Sequence, residues 1–137
     1  LIGTINILDF AVAKKVKGLI YLSSMEAFGE CNNSETRLSE KDLGYIDLTN
    51  IRNCYSESKR MCELLCKSYF TEYGLNTYIA RLAQVFGAGI SKSENRVFAQ
   101  FTKSVLKNED IVLHTDGTSW GNYCYTTDVF KAFFKIL

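Results

Sequence analysis

Gly18-Leu19-Ile20-Tyr21-Leu22-Ser23 is a continuous apolar run that ends in a hydroxyl side chain, and Ser24 follows it directly. Strands that are buried on both faces of a parallel sheet read as such runs, whereas strands with one solvated face alternate apolar and polar residues. The stretch therefore predicts an interior strand of a parallel sheet, with two serines at its carboxyl end.

Segments with helical periodicity lie on both sides of this strand. Residues 2–15 show a helical spacing of apolar side chains, and residues 55–73 form a longer helical stretch that ends before Gly74. Residues 76–86 are predicted as the next buried strand. Strands that alternate with helices indicate an α/β fold with a mostly parallel sheet. The other predicted segments are a loop at 30–53, a helix at 95–107, a short strand at 111–114 and a helix at 128–137.

The composition is that of an ordinary soluble domain, with 47% apolar residues, 23% charged residues and a formal net charge of +1. This charge gives no electrostatic reason to expect nucleic acid or an anionic membrane surface as a partner. No apolar run approaches the roughly 18 residues that span a bilayer, and no signal peptide is visible, so a cytoplasmic location is predicted. The five cysteines form no CxxC pair, and the only histidine, His114, is distant from Cys62 and Cys66, so we expect reduced thiols and no metal site.

The segment Tyr55-Ser56-Glu57-Ser58-Lys59 carries the clearest chemical signal. One helical turn places Tyr55 and Lys59 on the same face. Free tyrosine ionises near pH ~10 and is a poor base at neutral pH, but an ammonium about 4 Å away favours the phenolate by roughly 4 kcal/mol at an effective dielectric of about 20. The pair therefore predicts a general base that takes a proton from an alcohol while hydride leaves the same carbon, with the Ser24 hydroxyl on the reacting oxygen.

Five motifs occur in the order and at the spacing of one enzyme family. They are Gly3-Thr4-x-Asn6-x-Leu8, Ser23-Ser24-Met25-Glu26-Ala27-Phe28-Gly29, Tyr55-x-x-x-Lys59, Arg81-x-x-x-Val85-Phe86-Gly87 and Tyr123-x-Tyr125-x-x-Asp128. With these motifs the chain resembles the extended short-chain dehydrogenase/reductases, in particular the NAD-dependent nucleotide-sugar epimerases and dehydratases. A single YxxxK is common by chance, whereas five ordered matches that span nearly the whole chain are specific.

The resemblance implies a role for each matching residue of the site. Tyr55 would take the proton of a sugar hydroxyl, Lys59 would favour the phenolate and hold the nicotinamide ribose, and Ser24 would bind the reacting oxygen. The implied NAD-binding residues are Tyr55, Lys59, Ser23 and Gln84.

The resemblance also implies where the nucleotide-sugar substrate binds. Gln84 stands where many relatives have an asparagine and still offers a side-chain amide. Gly121 stands where relatives commonly use an arginine to hold a nucleotide phosphate, and glycine cannot replace a guanidinium. Arg96 is a candidate to take over that contact. The implied substrate-binding residues are Gln84, Arg96 and Asn122.

Glu26 decides which reaction the resemblance implies. In the sugar dehydratases and nucleotide-sugar decarboxylases of the family, a carboxylate follows the catalytic Ser or Thr by two residues. A 4-keto sugar has an acidic C5 proton, which this carboxylate can remove as the 6-hydroxyl leaves as water, so a dTDP-glucose 4,6-dehydratase-like activity is predicted first. Dehydratases often place an aspartate before the glutamate as the acid, and Met25 stands there instead. The alternatives are a 4-epimerase, a UDP-glucuronate decarboxylase, and a non-catalytic relative that keeps the fold for oligomerisation or regulation.

The glycine-rich turn that seats the cofactor's pyrophosphate in this family, GxxGxxG, does not occur in the chain. We therefore expect an internal fragment of a longer enzyme, with the C-terminal half of a Rossmann-like, doubly wound parallel sheet and part of the substrate-binding region. Residues 1–87 would belong to the NAD-binding domain and residues 88–137 to the nucleotide-sugar-binding region. The isolated piece is expected to bind NAD weakly or not at all.

The helix predicted at residues 55–73 carries two apolar stripes. Relatives commonly dimerise through this helix and the helix before the catalytic strand, so we expect a homodimer through the helices at 1–15 and 55–73. One stripe would cover the sheet, and the other would face the partner subunit. The stripe expected on the sheet is Met61, Leu64 and Leu65, and the stripe expected on the partner is Cys62, Cys66, Tyr69 and Tyr73.

Overall fold

Strand β1, Leu19–Ser24, pairs in parallel with strand β2, Thr77–Leu82, in the computed structural model. Helix α2, Cys54–Tyr73, lies between them in sequence and supplies the crossover that a parallel pair requires. Helix α1, Ile2–Ala13, precedes β1. Parallel strands that alternate with helices confirm the predicted α/β class.

The structure describes residues 1–31, 37–89, 91–118 and 120–137. The chain divides into two units, Leu1–Leu82 with Phe133–Leu137, and Ala83–Ala132. Within the loop predicted at 30–53, residues 32–36 lie outside the described part. The remainder contains an antiparallel bridge between Glu30 and Tyr45 and a 3₁₀ turn at Ile51–Asn53. No helix within the described ranges is long and apolar enough to cross a membrane.

The core of the first unit lies between α1, α2 and the β1–β2 sheet. Leu8 of α1 and Cys66 of α2 are fully buried there, and Ala11 and Leu75 complete the cluster. Burial of such apolar side chains is the main favourable contribution to folding, and here it fixes α2 against the sheet.

The buried and exposed faces of α2 do not coincide with the two predicted stripes. Cys62 and Cys66, expected to face a partner subunit, are buried within the chain, while Met61 and Leu64, expected on the sheet, are 48% and 57% exposed. Leu65 packs against the core as predicted. The predicted assignment is therefore wrong for Cys62, Cys66, Met61 and Leu64. Cysteine packs as a small apolar side chain, and its short side chain allows a neighbouring element to approach α2 closely.

A buried ion pair links α2 to both strands of this sheet. Ser23 and Arg81 are register partners in β1 and β2, and Glu63 of α2, only 6% exposed, binds both. Ser23 Oγ donates to Glu63 Oε1 at 2.5 Å, and Arg81 donates from Nε to Oε1 at 2.9 Å and from Nη2 to Oε2 at 2.7 Å. Burial raises the pKa of the Glu63 carboxyl, but the hydrogen bonds from Arg81 and Ser23 outweigh it, so this pKa lies below its ordinary value.

The second unit contains another parallel pair of strands. Strand β3, Gln84–Phe86, pairs with strand β4, Tyr123–Tyr125. Helix α3, Val97–Lys107, lies between them in sequence, and helix α4, Thr126–Ile136, follows β4 directly. The Phe86 ring lies 5.4 to 6.2 Å from three aromatic rings, those of Phe98, Tyr123 and Tyr125.

Three predictions about these elements are wrong. The single strand predicted at 76–86 is two strands, because β2 pairs with β1 whereas β3 pairs with β4, and the chain changes partner at Ala83. Residues 111–114 form no strand, since their apolar side chains are largely exposed and no described strand pairs with them. The last helix begins at Thr126, directly after the unpredicted strand β4, rather than at Asp128.

Arg81→Met tests the buried ion pair, because it leaves the Glu63 carboxylate buried without its counter-charge. We expect a loss of about 3–5 kcal/mol in the free energy of unfolding at neutral pH, measured by urea unfolding followed by circular dichroism. The stabilisation from Glu63 is present above its unfolded-state pKa of about 4.3 and is lost as the pH falls through its lower folded-state pKa. The loss of unfolding free energy in Arg81→Met should therefore become smaller as the pH falls into the acid range. Arg37→Met, which removes an exposed guanidinium, is the matched control, and an equal loss in both variants would contradict the assignment.

Candidate active site

The predicted catalytic pair lies at the start of α2, beside the carboxyl half of β1. Lys59 Nζ donates a hydrogen bond to the main-chain oxygen of Leu22 at 2.7 Å. The same ammonium lies 5.1 Å from the centre of the Tyr21 ring and 5.6 Å from the centre of the Tyr55 ring. Tyr55 is 46% exposed. The ammonium is thus held between the strand and the tyrosine, on the helical face that the four-residue spacing predicts.

Ser24, the last residue of β1, caps the 3₁₀ turn Met25–Phe28. Its Oγ accepts a hydrogen bond from the main-chain nitrogen of Glu26 at 3.2 Å. A hydroxyl that accepts one hydrogen bond can still donate its own proton. The Ser24 hydroxyl can therefore donate to a substrate oxygen while the same atom fixes the turn that carries Glu26.

The Glu26 carboxylate lies at a cavity of about 240 Å³ in the first unit. Ser56 Oγ, one residue after Tyr55, donates to Glu26 Oε2 at 3.3 Å. This contact joins the turn after β1 to the first turn of α2. The cavity is lined by Glu26, Gly29, Glu30, Tyr45, Ile46, Arg52, Asn53 and Ser56.

Arg60 follows Lys59 and holds the backbone of the same turn. Its Nε donates to the oxygen of Ala27 at 2.7 Å, and its Nη2 donates to the oxygens of Phe28 at 3.0 Å and Gly44 at 2.8 Å. Sequence reasoning singled out neither Ser56 nor Arg60. Their contacts join residues 16 to 33 positions apart, and only their position beside Tyr55 and Lys59 could have pointed to them.

Ser23 lies in a different environment from Ser24. Its hydroxyl is buried and donates to Glu63, whereas the resemblance implies a contact with NAD. In this structure the Ser23 side chain supports the sheet, and its contact with NAD stays a prediction.

Gln84 and Asn122, predicted to bind substrate, are neighbours in the second unit. The main-chain nitrogen of Gln84 donates to the Asn122 oxygen at 3.0 Å. Gln84 also lines an open apolar pocket of about 730 Å³, whose wall includes Phe86, Phe98 and Phe101. A cavity with aromatic walls and few polar groups is typical of a small-molecule site.

Arg96, the third predicted substrate-binding residue, is engaged elsewhere. Its Nη2 lies 2.7 Å from Glu94 Oε2, and its guanidinium lies 4.8 Å from the centre of the Phe98 ring. The hydrogen bonds from Arg96 lower the pKa of the Glu94 carboxyl to about 2. This pair uses Nη2 of a guanidinium that has five N–H donors, so donors remain for a phosphate.

The donor groups at the start of α2 fit the ribose of a nicotinamide cofactor. The Lys59 ammonium has three N–H donors and one hydrogen-bond acceptor, the Leu22 oxygen, within the described ranges. Two donors therefore remain for vicinal hydroxyls beside the half-exposed Tyr55. Among the residues that the structure describes, no three His, Cys, Asp or Glu side chains cluster as a metal ion would require.

This arrangement agrees with comparisons to known proteins. The model of the NAD dependent epimerase/dehydratase family matches residues 1–137. The chain belongs to this family. It is 29% identical over 138 residues to UDP-glucuronic acid decarboxylase 6 of Arabidopsis thaliana. This alignment covers 99% of the chain and 39% of that relative.

Two further family members show the range of reactions and support the fold. The dTDP-D-glucose 4,6-dehydratase of Dictyostelium discoideum is 28% identical over 141 residues, covering 100% of the chain and 32% of that relative. The crystal structure of UDP-glucose 4-epimerase with UDP-glucose from Thermotoga maritima aligns with a TM-score of 0.81 at 26% identity, covering 96% of the chain and 41% of the epimerase. The chain thus spans about 30 to 40% of the length of these proteins.

Proposed function

We propose that this chain carries the catalytic residues of an NAD-dependent enzyme that oxidises the 4-hydroxyl of a nucleotide sugar. The observation that supports this most directly is the Lys59 ammonium, held by the Leu22 oxygen beside the Tyr55 ring. Because this contact already orders the long Lys59 side chain, its charge acts on the tyrosine without a further loss of side-chain entropy.

The oxidation divides among three side chains. Tyr55 takes the proton of the sugar 4-hydroxyl beside the Lys59 ammonium. Lys59 also donates to the ribose of the cofactor through its remaining N–H groups. Ser24 donates its hydroxyl proton to the sugar oxygen while accepting from the Glu26 nitrogen. When bound, NAD accepts the hydride from the sugar and returns it at the end of the reaction.

For the step after oxidation we propose loss of CO₂ from a nucleotide uronic acid. A 4-ketone turns the C6 carboxylate into that of a β-keto acid, so the C5–C6 bond can break and leave its electron pair as an enolate of the ketone. Glu26, after taking a proton from solvent, supplies that proton to C5. This route needs no acid at position 25, where the chain has Met25. The similarity to a UDP-glucuronic acid decarboxylase also supports it.

Dehydration, which the sequence favours first, is the second candidate. Glu26 would remove the C5 proton and pass it to the 6-hydroxyl, which leaves as water and gives a C5–C6 double bond. The hydride would then return to C6 and a proton from solvent to C5. The similarity to a dTDP-D-glucose 4,6-dehydratase supports this reaction.

We also propose a division of binding roles along the chain. Residues 1–87 contribute to NAD binding and catalysis, and residues 88–137 contribute to binding of the nucleotide. The apolar cavity beside Gln84 supports the second role, because aromatic side chains such as Tyr123 can pack against a flat base. Since these 137 residues contain no glycine-rich phosphate-binding turn, we propose that they alone bind NAD weakly.

A homodimer through α1 and α2 is a further part of the proposal. Both helices expose large apolar side chains, among them Ile2 and Phe10 of α1 and Leu64 and Phe70 of α2. Exposed apolar surface of this kind is typical of an interaction site. The stripe that would meet the partner is the one containing Leu64, not the one containing Cys66.

Tyr55→Phe removes the proposed base and keeps the ring. In the protein expressed from its complete coding sequence, we expect NADH formation from the nucleotide sugar to slow by about 10²–10⁴-fold, because the proton of the 4-hydroxyl loses its acceptor. The measurement is NADH absorbance after rapid mixing. Tyr73→Phe at the other end of α2 is the control and should leave the rate unchanged. A Tyr55→Phe variant as fast as the wild type would exclude Tyr55 as the base.

Product analysis separates the two candidate reactions. The same full-length protein is incubated with NAD and, separately, with UDP-glucuronate, dTDP-glucose and UDP-glucose. We expect CO₂ and a UDP-pentose from UDP-glucuronate only. A 4-keto-6-deoxy sugar from dTDP-glucose would instead establish the dehydratase, inversion at C4 would establish an epimerase, and no turnover of any substrate would support the non-catalytic alternative.

Leu64→Asp tests the dimer, since it places a charge on the exposed stripe of α2. We expect the dissociation constant from sedimentation equilibrium to rise by about tenfold or more. Leu106→Asp, which changes an exposed leucine of α3, should not alter it. A wild-type protein that sediments as a monomer at all concentrations would overturn the proposed dimer.

A further inference from the structure

The 3₁₀ turn that carries Glu26 is held to α2 by one side chain in particular. The Arg60 guanidinium donates to three main-chain oxygens. Two belong to the turn itself, at Ala27 and Phe28, and one belongs to a separate segment, at Gly44. Arg60 Nη1 also lies 3.6 Å from Glu57 Oε1. That contact is a partly exposed pair on the helix, and such pairs contribute little to stability.

The backbone around this guanidinium is packed too closely for ordinary side chains. Gly29 has φ +71°, and a Cβ there would lie 2.6 Å from the Tyr45 oxygen and 2.8 Å from Arg60 Nη2. A Cβ on Gly44 would lie 2.1 Å from the Glu30 oxygen. Two glycines thus allow two chain segments to converge on Arg60, and the Glu30–Tyr45 bridge closes the arrangement. The convergence gives the guanidinium a fixed set of acceptors next to Glu26.

The catalytic groups for the two halves of the reaction are held by different contacts. Lys59, beside Tyr55, is bound to the Leu22 oxygen within the paired strand β1. Glu26 lies outside the sheet, and its position depends on the Ser24 cap, on Ser56 and on the turn that Arg60 holds. Ser24, the third side chain assigned to the oxidation, belongs to the paired strand β1 itself, in register with Leu82. Loss of the guanidinium therefore loosens Glu26 and leaves Tyr55, Lys59 and Ser24 in place.

We infer that Arg60 is a positioning residue that fixes Glu26 for the step on the 4-ketone, independently of the oxidation by Tyr55 and Lys59. The inference rests on the proposed function, since it assigns a role within the second half of that reaction. A misplacement of about 1 Å in a reacting group can cost a factor of about 100 in rate. The consequence is that the 4-ketone forms at its usual rate, and the proton transfer at C5 that follows it is slowed.

Arg60→Lys and Arg60→Met test this inference in the full-length protein. Lysine keeps the charge but cannot reach three oxygens with a planar fork. Under single turnover with UDP-glucuronate, or with dTDP-glucose if the wild type dehydrates, we expect NADH to form within about twofold of the wild-type rate. We expect its disappearance to slow by about 10–100-fold, with release of 4-keto sugar. Glu57→Gln removes the partly exposed ion pair but not the carbonyl contacts, and should behave as the wild type.

The ratio of ketone released to final product is the deciding measurement. Both the released ketone and the final product are measured per NADH formed. If a variant folds less completely, both amounts fall together and their ratio is unchanged. An unchanged ratio in both Arg60 variants, or an equal slowing of NADH formation and NADH loss, would overturn the positioning role while leaving the proposed function intact. A wild-type protein that forms no NADH with any nucleotide sugar would instead overturn the proposed function, and this inference with it.

Discussion

The carboxylate of Glu63 is the contact on which the rest of the first unit depends. It binds both Ser23 and Arg81, which are register partners on adjacent parallel strands. A slip of one residue in a strand turns every side chain to the other face of the sheet. By holding Ser23 toward α2, Glu63 fixes the face on which Ser24 emerges at the strand end. The role proposed for Ser24 thus depends on a buried ion pair that has no part in the proposed chemistry.

Helix α2 holds the site together through side chains on its first three turns. Ser56 binds Glu26, Lys59 binds the Leu22 oxygen, Arg60 binds the turn after Glu26, and Glu63 binds the strand pair. These residues are three, one and three positions apart, so they lie on neighbouring faces of one helix. The helix that presents Tyr55 therefore also positions the groups with which Tyr55 must act.

The sequence predicted those elements whose pattern is local. The apolar run at β1 and the helical period of α2 identified both elements, and the spacing of Tyr55 and Lys59 identified the candidate base. The change of strand partner at Ala83 has no local signature, since no glycine, proline or turn residue separates β2 from β3. Residues 111–114 show the converse, because an apolar run without a pairing strand does not become a strand.

The same distinction explains which parts of the site were missed. Arg60 acts on main-chain oxygens, which every residue possesses, so its targets leave no trace in the sequence. The ion pair of Glu63 and Arg81 joins positions 18 residues apart, and Arg81 was visible only as part of a motif whose physical reason was not apparent. The choice between the two stripes of α2 depended on how closely the core could approach a thiol side chain, which periodicity does not encode.

Two carboxylates, Glu63 on this helix and Glu26 beside it, have chemically different partners. Glu63 accepts from a guanidinium and a hydroxyl, and its lowered pKa makes it a weak base. Glu26 has the neutral Ser56 hydroxyl as its side-chain partner within the described ranges. Pairing with a buried arginine favours the ionised form of Glu63, so this carboxylate is unsuited to the proton transfer that we propose for Glu26. With the arginine at Glu63 and a hydroxyl at Glu26, the carboxylate that holds the fold is separate from the one proposed for proton transfer.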